Sequence, residues 1–107
     1  MFDNQSFLRL TAPLLRLMIL NILCQNSSYG YEITNTIRSL YPINESSVYT
    51  ALRELSEEKL VTCQFVVIKG KLRKYYSIAS SGRETLKQYN PICRKQLCDI
   101  LNVIATN

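Results

Sequence analysis

A chain of 107 residues, 47% hydrophobic and 20% charged, holds one compact domain and is too short for two. Its net charge of +5 suits a polyanionic partner. It has no histidine, three glycines and four cysteines (Cys24, Cys63, Cys93 and Cys98) with no C-x-x-C pair. A zinc site, a Cys–His nucleophile and a glycine loop that cradles phosphate therefore lack their parts, and no metal, cofactor or catalytic constellation is expected.

The positive charge is concentrated. Lys59 to Arg83 carries six cations (Lys59, Lys69, Lys71, Arg73, Lys74, Arg83) and no acid, whereas Met1 to Glu58 carries four cations against six acids. The apolar run Leu17 to Cys24 is too short to span a membrane, holds Asn21 and is followed by no small-residue cleavage site. The chain is thus read as cytoplasmic, with no membrane partner and with reduced cysteines that serve mostly as small core residues.

Met1 to Arg9 is read as a short arm or an extra helical turn. Thr11 caps a first helix that has Pro13 in its first turn, and Leu14, Leu17, Met18, Leu20, Ile22 and Leu23 make it apolar on more than one face. After the polar turn Gln25 to Ser28, the i, i+4, i+7 spacing of Ile33, Ile37 and Leu40 predicts a second helix that ends at Tyr41-Pro42. Asn44 opens a third helix with Val48, Leu52 and Leu55 at the same spacing and Ala51 beside them. The opposite face of that helix carries Ser46, Tyr49, Thr50, Arg53 and Glu57, a mixture suited to phosphates and base edges.

From Leu60 the pattern turns β-branched and aromatic. Val61 to Ile68 and Leu72 to Ile78 flank Lys69-Gly70-Lys71, which predicts a hairpin whose tip gathers Lys69, Lys71, Arg73 and Lys74. Ser81 and Glu84 have capping-box spacing and start a last helix. On it Leu86, Tyr89, Cys93, Leu97, Ile100 and Ile104 approach a heptad seam, with Pro91 expected to kink or break the helix near Asn90. The first and last helices together offer more apolar surface than one small core uses. Leu14, Leu17, Met18, Leu86, Tyr89, Cys93, Leu97, Ile100 and Ile104 are therefore expected at a two-fold homodimer interface.

Three helices, a two-stranded wing and a final helix make a mainly α fold with a small β-hairpin, in the order of a winged helix-turn-helix. Residues 1–80 are read as the DNA-binding part and 81–107 as the dimerisation helix. The segment Ser28-Tyr-Gly30-Tyr31-Glu32-Ile33 resembles the G-Y-E-I segment of PadR-type regulators. Asn44 to Val61 resembles their recognition-helix signature, Lys71-Leu-Arg73-Lys74-Tyr75-Tyr76 is similar to their wing motif R-x-R-K-Y-Y, and Gly82-Arg83-Glu84 matches the start of their last helix. The likeness spans roughly residues 12 to 90. This chain departs by having Thr50 where many members have Pro, Lys59 where they have Gly, and Ala79 where they have the Thr that caps the last helix.

The resemblance implies a dimeric repressor that binds a palindromic operator in double-stranded DNA, with the third helix in the major groove. On that basis Tyr31, Ser46, Ser47, Tyr49, Thr50 and Arg53 are the expected contacts, and Lys69, Lys71, Arg73 and Lys74 hold the wing on the backbone or in the minor groove. Some short members are similar to multidrug sensors, which hold flat aromatic effectors between two copies, often on tryptophan; this chain has no Trp. The alternative reading is a winged-helix module that docks protein and ignores DNA, for which an apolar, uncharged third-helix face is required.

Overall fold

A computed structural model describes residues 10–105 of the chain. The expected N-terminal arm, 1–9, lies outside them. The elements are α1 (Ala12–Gln25), β1 (Ser28–Tyr29), α2 (Gly30–Arg38), α3 (Glu45–Glu57), β2 (Val61–Ile68), β3 (Lys71–Ile78) and α4 (Ser80–Ala105). The strands form one antiparallel sheet in the order β1-β3-β2.

Thr11 caps α1 by accepting the Leu14 N–H at 3.4 Å, and Pro13 sits where no helical donor is needed. One side of α1 buries Leu15, Ile19, Leu20 and Leu23 against Ile33 and Ile37 of α2 and Val48, Ala51, Leu52 and Leu55 of α3. Val61, Tyr76 and Leu86 close the same core from the hairpin and α4. The α3 residues are those that the i, i+4, i+7 spacing selects. On α2 that spacing runs one turn too far, because the helix ends at Arg38 and Leu40 is 78% exposed. Pro42 disfavours helix just before it. The chain instead turns with the Leu40 and Tyr41 N–H groups both donated to the Ile37 carbonyl, and Arg38 Nε donates to Ile43 O at 3.1 Å.

Two other local expectations are corrected. Pro91 does not break α4: the helix is continuous for 26 residues. Pro91 is exposed, so the carbonyl that loses its helical donor lies at the wet side of the helix, while Asn90 is turned inward and hydrogen-bonded to Asn21. Ser81 does not form the capping box with Glu84. Its hydroxyl donates to Lys59 O at 2.7 Å, and the Ala79 N–H donates to Leu60 O at 3.0 Å, so the start of α4 is tied to the end of α3.

That junction is a Schellman motif. The Leu60 N–H donates to Leu55 O at 2.9 Å and the Lys59 N–H to Ser56 O at 3.0 Å, with Lys59 at φ 62°. A lysine thus occupies a left-handed position that favours glycine. Lys59→Gly is expected to stabilise the fold by about 0.5–1 kcal/mol, read as a higher urea midpoint with an unchanged m-value; a lower midpoint would contradict the motif.

Candidate nucleic-acid interface

The N-terminus of α2 is the platform of the site. Gly30 is buried, and a Cβ there would overlap the Tyr49 ring, so only glycine lets α3 bring that ring onto the α2 backbone. Tyr49 is 44% exposed: one side of the ring rests on Gly30 and the rest faces solvent. Its phenol is held above its ordinary value, first by burial and then by the Glu45 carboxylate one turn earlier; Arg73 pulls the other way. At neutral pH Tyr49 is therefore a neutral hydroxyl. Because the fold favours that neutral form, the associated stabilisation is intact below the ordinary phenol value and is lost as pH rises through the raised one.

Arg73 ties the wing to this platform. Tyr29 pairs with Tyr75 across β1 and β3, their ring centroids lie 5.8 Å apart, and the Arg73 guanidinium sits 4.8 Å over the Tyr29 ring. The Ser27 and Ser77 hydroxyls meet at 2.7 Å beside them. Sequence reasoning missed β1, gave Glu45 no role, and named Gly30 only within a family-like segment and not as the seat of the Tyr49 ring. A two-residue strand has no periodicity to detect, but a glycine ahead of an aromatic at a helix start was a usable sign of close backbone approach.

Around Tyr49, the expected residues Tyr31, Ser46, Ser47, Thr50 and Arg53 are all exposed. Ser46, Ser47 and Thr50 also line a cleft of about 640 Å³ shared with Arg16, Tyr41 and Asn44. Among the described residues Arg53 is paired with Glu57, at 3.5 Å and with both side chains about two-thirds exposed, a pair worth little and readily released. Arg16 differs, since Glu54 at 3.0 Å and Glu58 at 3.5 Å neutralise it. At the wing tip, Lys69 (φ 51°) and Gly70 (φ 78°) form a two-residue turn of the I′ pattern between Ile68 and Lys71. Lys69, Lys71 and Lys74 are exposed, and Arg73 is partly covered.

The second group lies on α1 and α4. Leu14, Leu17, Met18 and Asn21 face Asn90, Cys93, Arg94 and Leu97 across a groove of about 350 Å³. Tyr89, Leu97, Ile100 and Ile104 are 48–64% exposed on α4. Leu86 departs from its expected intersubunit role: it is 5% exposed and packs into the chain's own core, because the first turns of α4 lie against α1. Asn21 and Asn90, not singled out from sequence, exchange side-chain hydrogen bonds at 2.9 and 3.0 Å.

Among the described residues, no helix is long and apolar enough to cross a membrane, and no three potential metal ligands cluster. A three-helix domain that carries a β-hairpin beside its third helix is a winged helix. The chain belongs to the transcriptional regulator PadR-like family, whose sequence profile matches residues 19–88. No curated protein sequence matches it. Among solved structures, a protein of Streptococcus mutans is 27% identical with a TM-score of 0.86, over 94% of this chain and 95% of that one. A PadR-like transcriptional regulator of Bacillus cereus is 26% identical with a TM-score of 0.75, over 89% and 94% of the two chains. PadR of Bacillus subtilis, solved in complex with operator DNA, shares the fold at 24% identity and a TM-score of 0.65, over 74% of this chain and 48% of its own.

The Glu45–Tyr49 contact is testable by titration. In Glu45→Gln, the Tyr49 phenol is expected to titrate closer to the usual tyrosine value, followed by NMR on ring-labelled protein; an unmoved midpoint would remove Glu45 from its causes.

Proposed function

We propose that the chain is a sequence-specific DNA-binding transcriptional repressor that works in the cytoplasm as a homodimer on a palindromic operator. The observation that carries this reading is the link between the exposed face of α3 and the basic wing: Tyr49 on its Gly30 platform, with Arg73 close enough to act on its phenol. In this reading α3 enters the major groove. Tyr49 and Ser46 meet phosphate or base edges, with Tyr31, Ser47, Thr50 and Arg53 around them. Lys69, Lys71, Arg73 and Lys74 grip the backbone and add affinity more than sequence choice. The charged α3 face argues against a module that only docks protein. The operator-bound relative from Bacillus subtilis lends support from the same fold.

The apolar seam of α4 supplies the dimer in this proposal. Cys93 and Leu97, beside Leu14, Leu17 and Met18 of α1, form its groove, and Tyr89, Ile100 and Ile104 extend it. Residues 81–107 then act as the dimerisation helix and 1–80 as the reader. Two copies present their α3 helices to successive major grooves, roughly 34 Å apart.

Selection of bound fragments from random DNA, with a molar-mass measurement in solution, tests the reading: paired half-sites and a dimer are expected, and a monomer that enriches no sequence would refute it. Replacing Lys71 and Lys74 by Ala is expected to weaken binding to all sequences and to flatten the salt dependence by roughly 0.9 per lost contact in each copy. Leu97→Asp with Ile100→Asp is expected to yield monomers by sedimentation and to lower operator affinity. A variant that stays dimeric would move the interface away from α4.

A further inference from the structure

The wing carries an apolar patch that the fold does not use. In the β2–β3 register, Val61 lies opposite Ile78, Cys63 opposite Tyr76, Phe65 opposite Lys74, and Val67 opposite Leu72. Directly opposed residues share a face of the sheet, so these eight line one side of the hairpin. Its inner end is core: Val61 is 3% and Tyr76 5% exposed. Its outer end is not, because the hairpin runs past the helices and leaves Phe65, Val67 and Leu72 at 67%, 68% and 67% exposed. A wing that served only as an edge guard would carry polar residues there. Three large apolar side chains gathered on one exposed face instead mark a contact surface.

The surroundings of the patch define its occupant. Lys74 stands within it, Lys69 and Lys71 follow at the turn just beyond it, all exposed, and no acid occurs between Lys59 and Arg83. A complementary surface must therefore be densely negative at its rim and apolar at its centre. The minor groove of a duplex has that form: two phosphate rails enclose walls of deoxyribose and the edges of a base stack. The Val67–Leu72 pair is one residue back from the turn pair Ile68–Lys71, so it is the apolar pair nearest the tip. Phe65 stands two residues behind Val67, roughly 7 Å along the strand.

We propose that the hairpin is a wedge as well as a clamp: with its lysines on the phosphate rails, Val67 and Leu72 press into a base step from the minor groove and bend the duplex, while Phe65 packs on the sugars. This rests on the reading of the chain as a DNA-binding regulator and adds a contact that charge alone does not supply. Apolar side chains inserted from the minor groove unstack a step and bend DNA toward the major groove. The cost of unstacking depends on the step, so the wing would favour flexible pyrimidine–purine steps beside the half-site without any base-specific hydrogen bond.

The test uses the full chain, a duplex carrying the sequence selected by the unaltered protein, and fluorescent labels at the two duplex ends. Val67→Thr with Leu72→Thr keeps residues suited to strands and removes the apolar wedge. The double variant is expected to bind about tenfold more weakly, with the same salt slope, and to leave the end-to-end distance that of free DNA. The unaltered protein should bind several-fold tighter when a mismatch is placed at the wing-proximal step, and the double variant should not. Leu72→Met, which keeps apolar bulk, should retain the bend, and unchanged thermal midpoints exclude misfolding as the cause. Equal affinity and equal bending in the double variant would overturn the wedge. So would a changed salt slope, a changed molar mass, or loss of binding to acidic phospholipid vesicles with DNA binding intact, since these assign the patch to charge, protein or membrane contact. If the unaltered protein binds no DNA, the functional reading and the wedge fall together; if it binds and only the bend is missing, the wedge alone falls.

Discussion

The packing of the Tyr49 ring on the backbone of Gly30 is the constraint on which the site depends. It fixes the separation of α2 and α3 at the point where β1 hands the chain to α2, and β1 is in turn paired to the strand that carries Arg73. Helix and wing thus share one rigid origin. A larger residue at Gly30 would not simply loosen a core contact; it would push the ring away from the guanidinium with which it shares a surface. Elsewhere on the α3 exterior Ser46, Ser47, Thr50 and Arg53 are polar and exposed.

Charge in this molecule is arranged by what each group is tied to. Arg16 and Arg53 are alike in sequence terms, but Arg16 reaches Glu54 and Glu58 and is neutralised against α3, whereas Arg53 makes one long, exposed pair. The hairpin cations face no acids of their own segment. The positive field is therefore delivered at the wing and not spread evenly over the domain, since α3 sets Arg53 among Glu45, Glu54 and Glu57.

Much of the architecture was legible because it rests on periodicity. Val48, Leu52 and Leu55 identified the buried side of α3, and the Lys69-Gly70 turn identified the hairpin. Family-like segments aligned these with known regulators. What escaped was decided by groups distant in sequence. Leu40 matched the helical spacing, but the helix had already been closed by Ile37 and Pro42. Pro91 broke a local rule, yet the helix continues where tertiary contacts hold its flanks. Ser81 had the right spacing for a box, but α4 begins one residue earlier at Ser80, so Ser81 lies inside the helix and its hydroxyl donates to Lys59 O. Leu86 belonged by pattern to the outer seam of α4 and by position to the core. Tyr49 was found as a surface side chain; its partner Gly30 was not, because nothing in a linear pattern says which ring a glycine makes room for.

The amides of Asn21 and Asn90 meet in a strip that is otherwise apolar but for Arg94, and Asn21 also donates to the Leu17 carbonyl. Greasy helices slide past one another with little penalty, whereas this pair acts as a notch. A slip of α4 by one turn, about 5.4 Å, would break both Asn21–Asn90 hydrogen bonds and leave the half-buried Asn90 amide facing apolar side chains. The long helix is therefore indexed against α1. In a two-fold assembly joined through α4, the distance between the two α1 helices would be set in steps and not continuously.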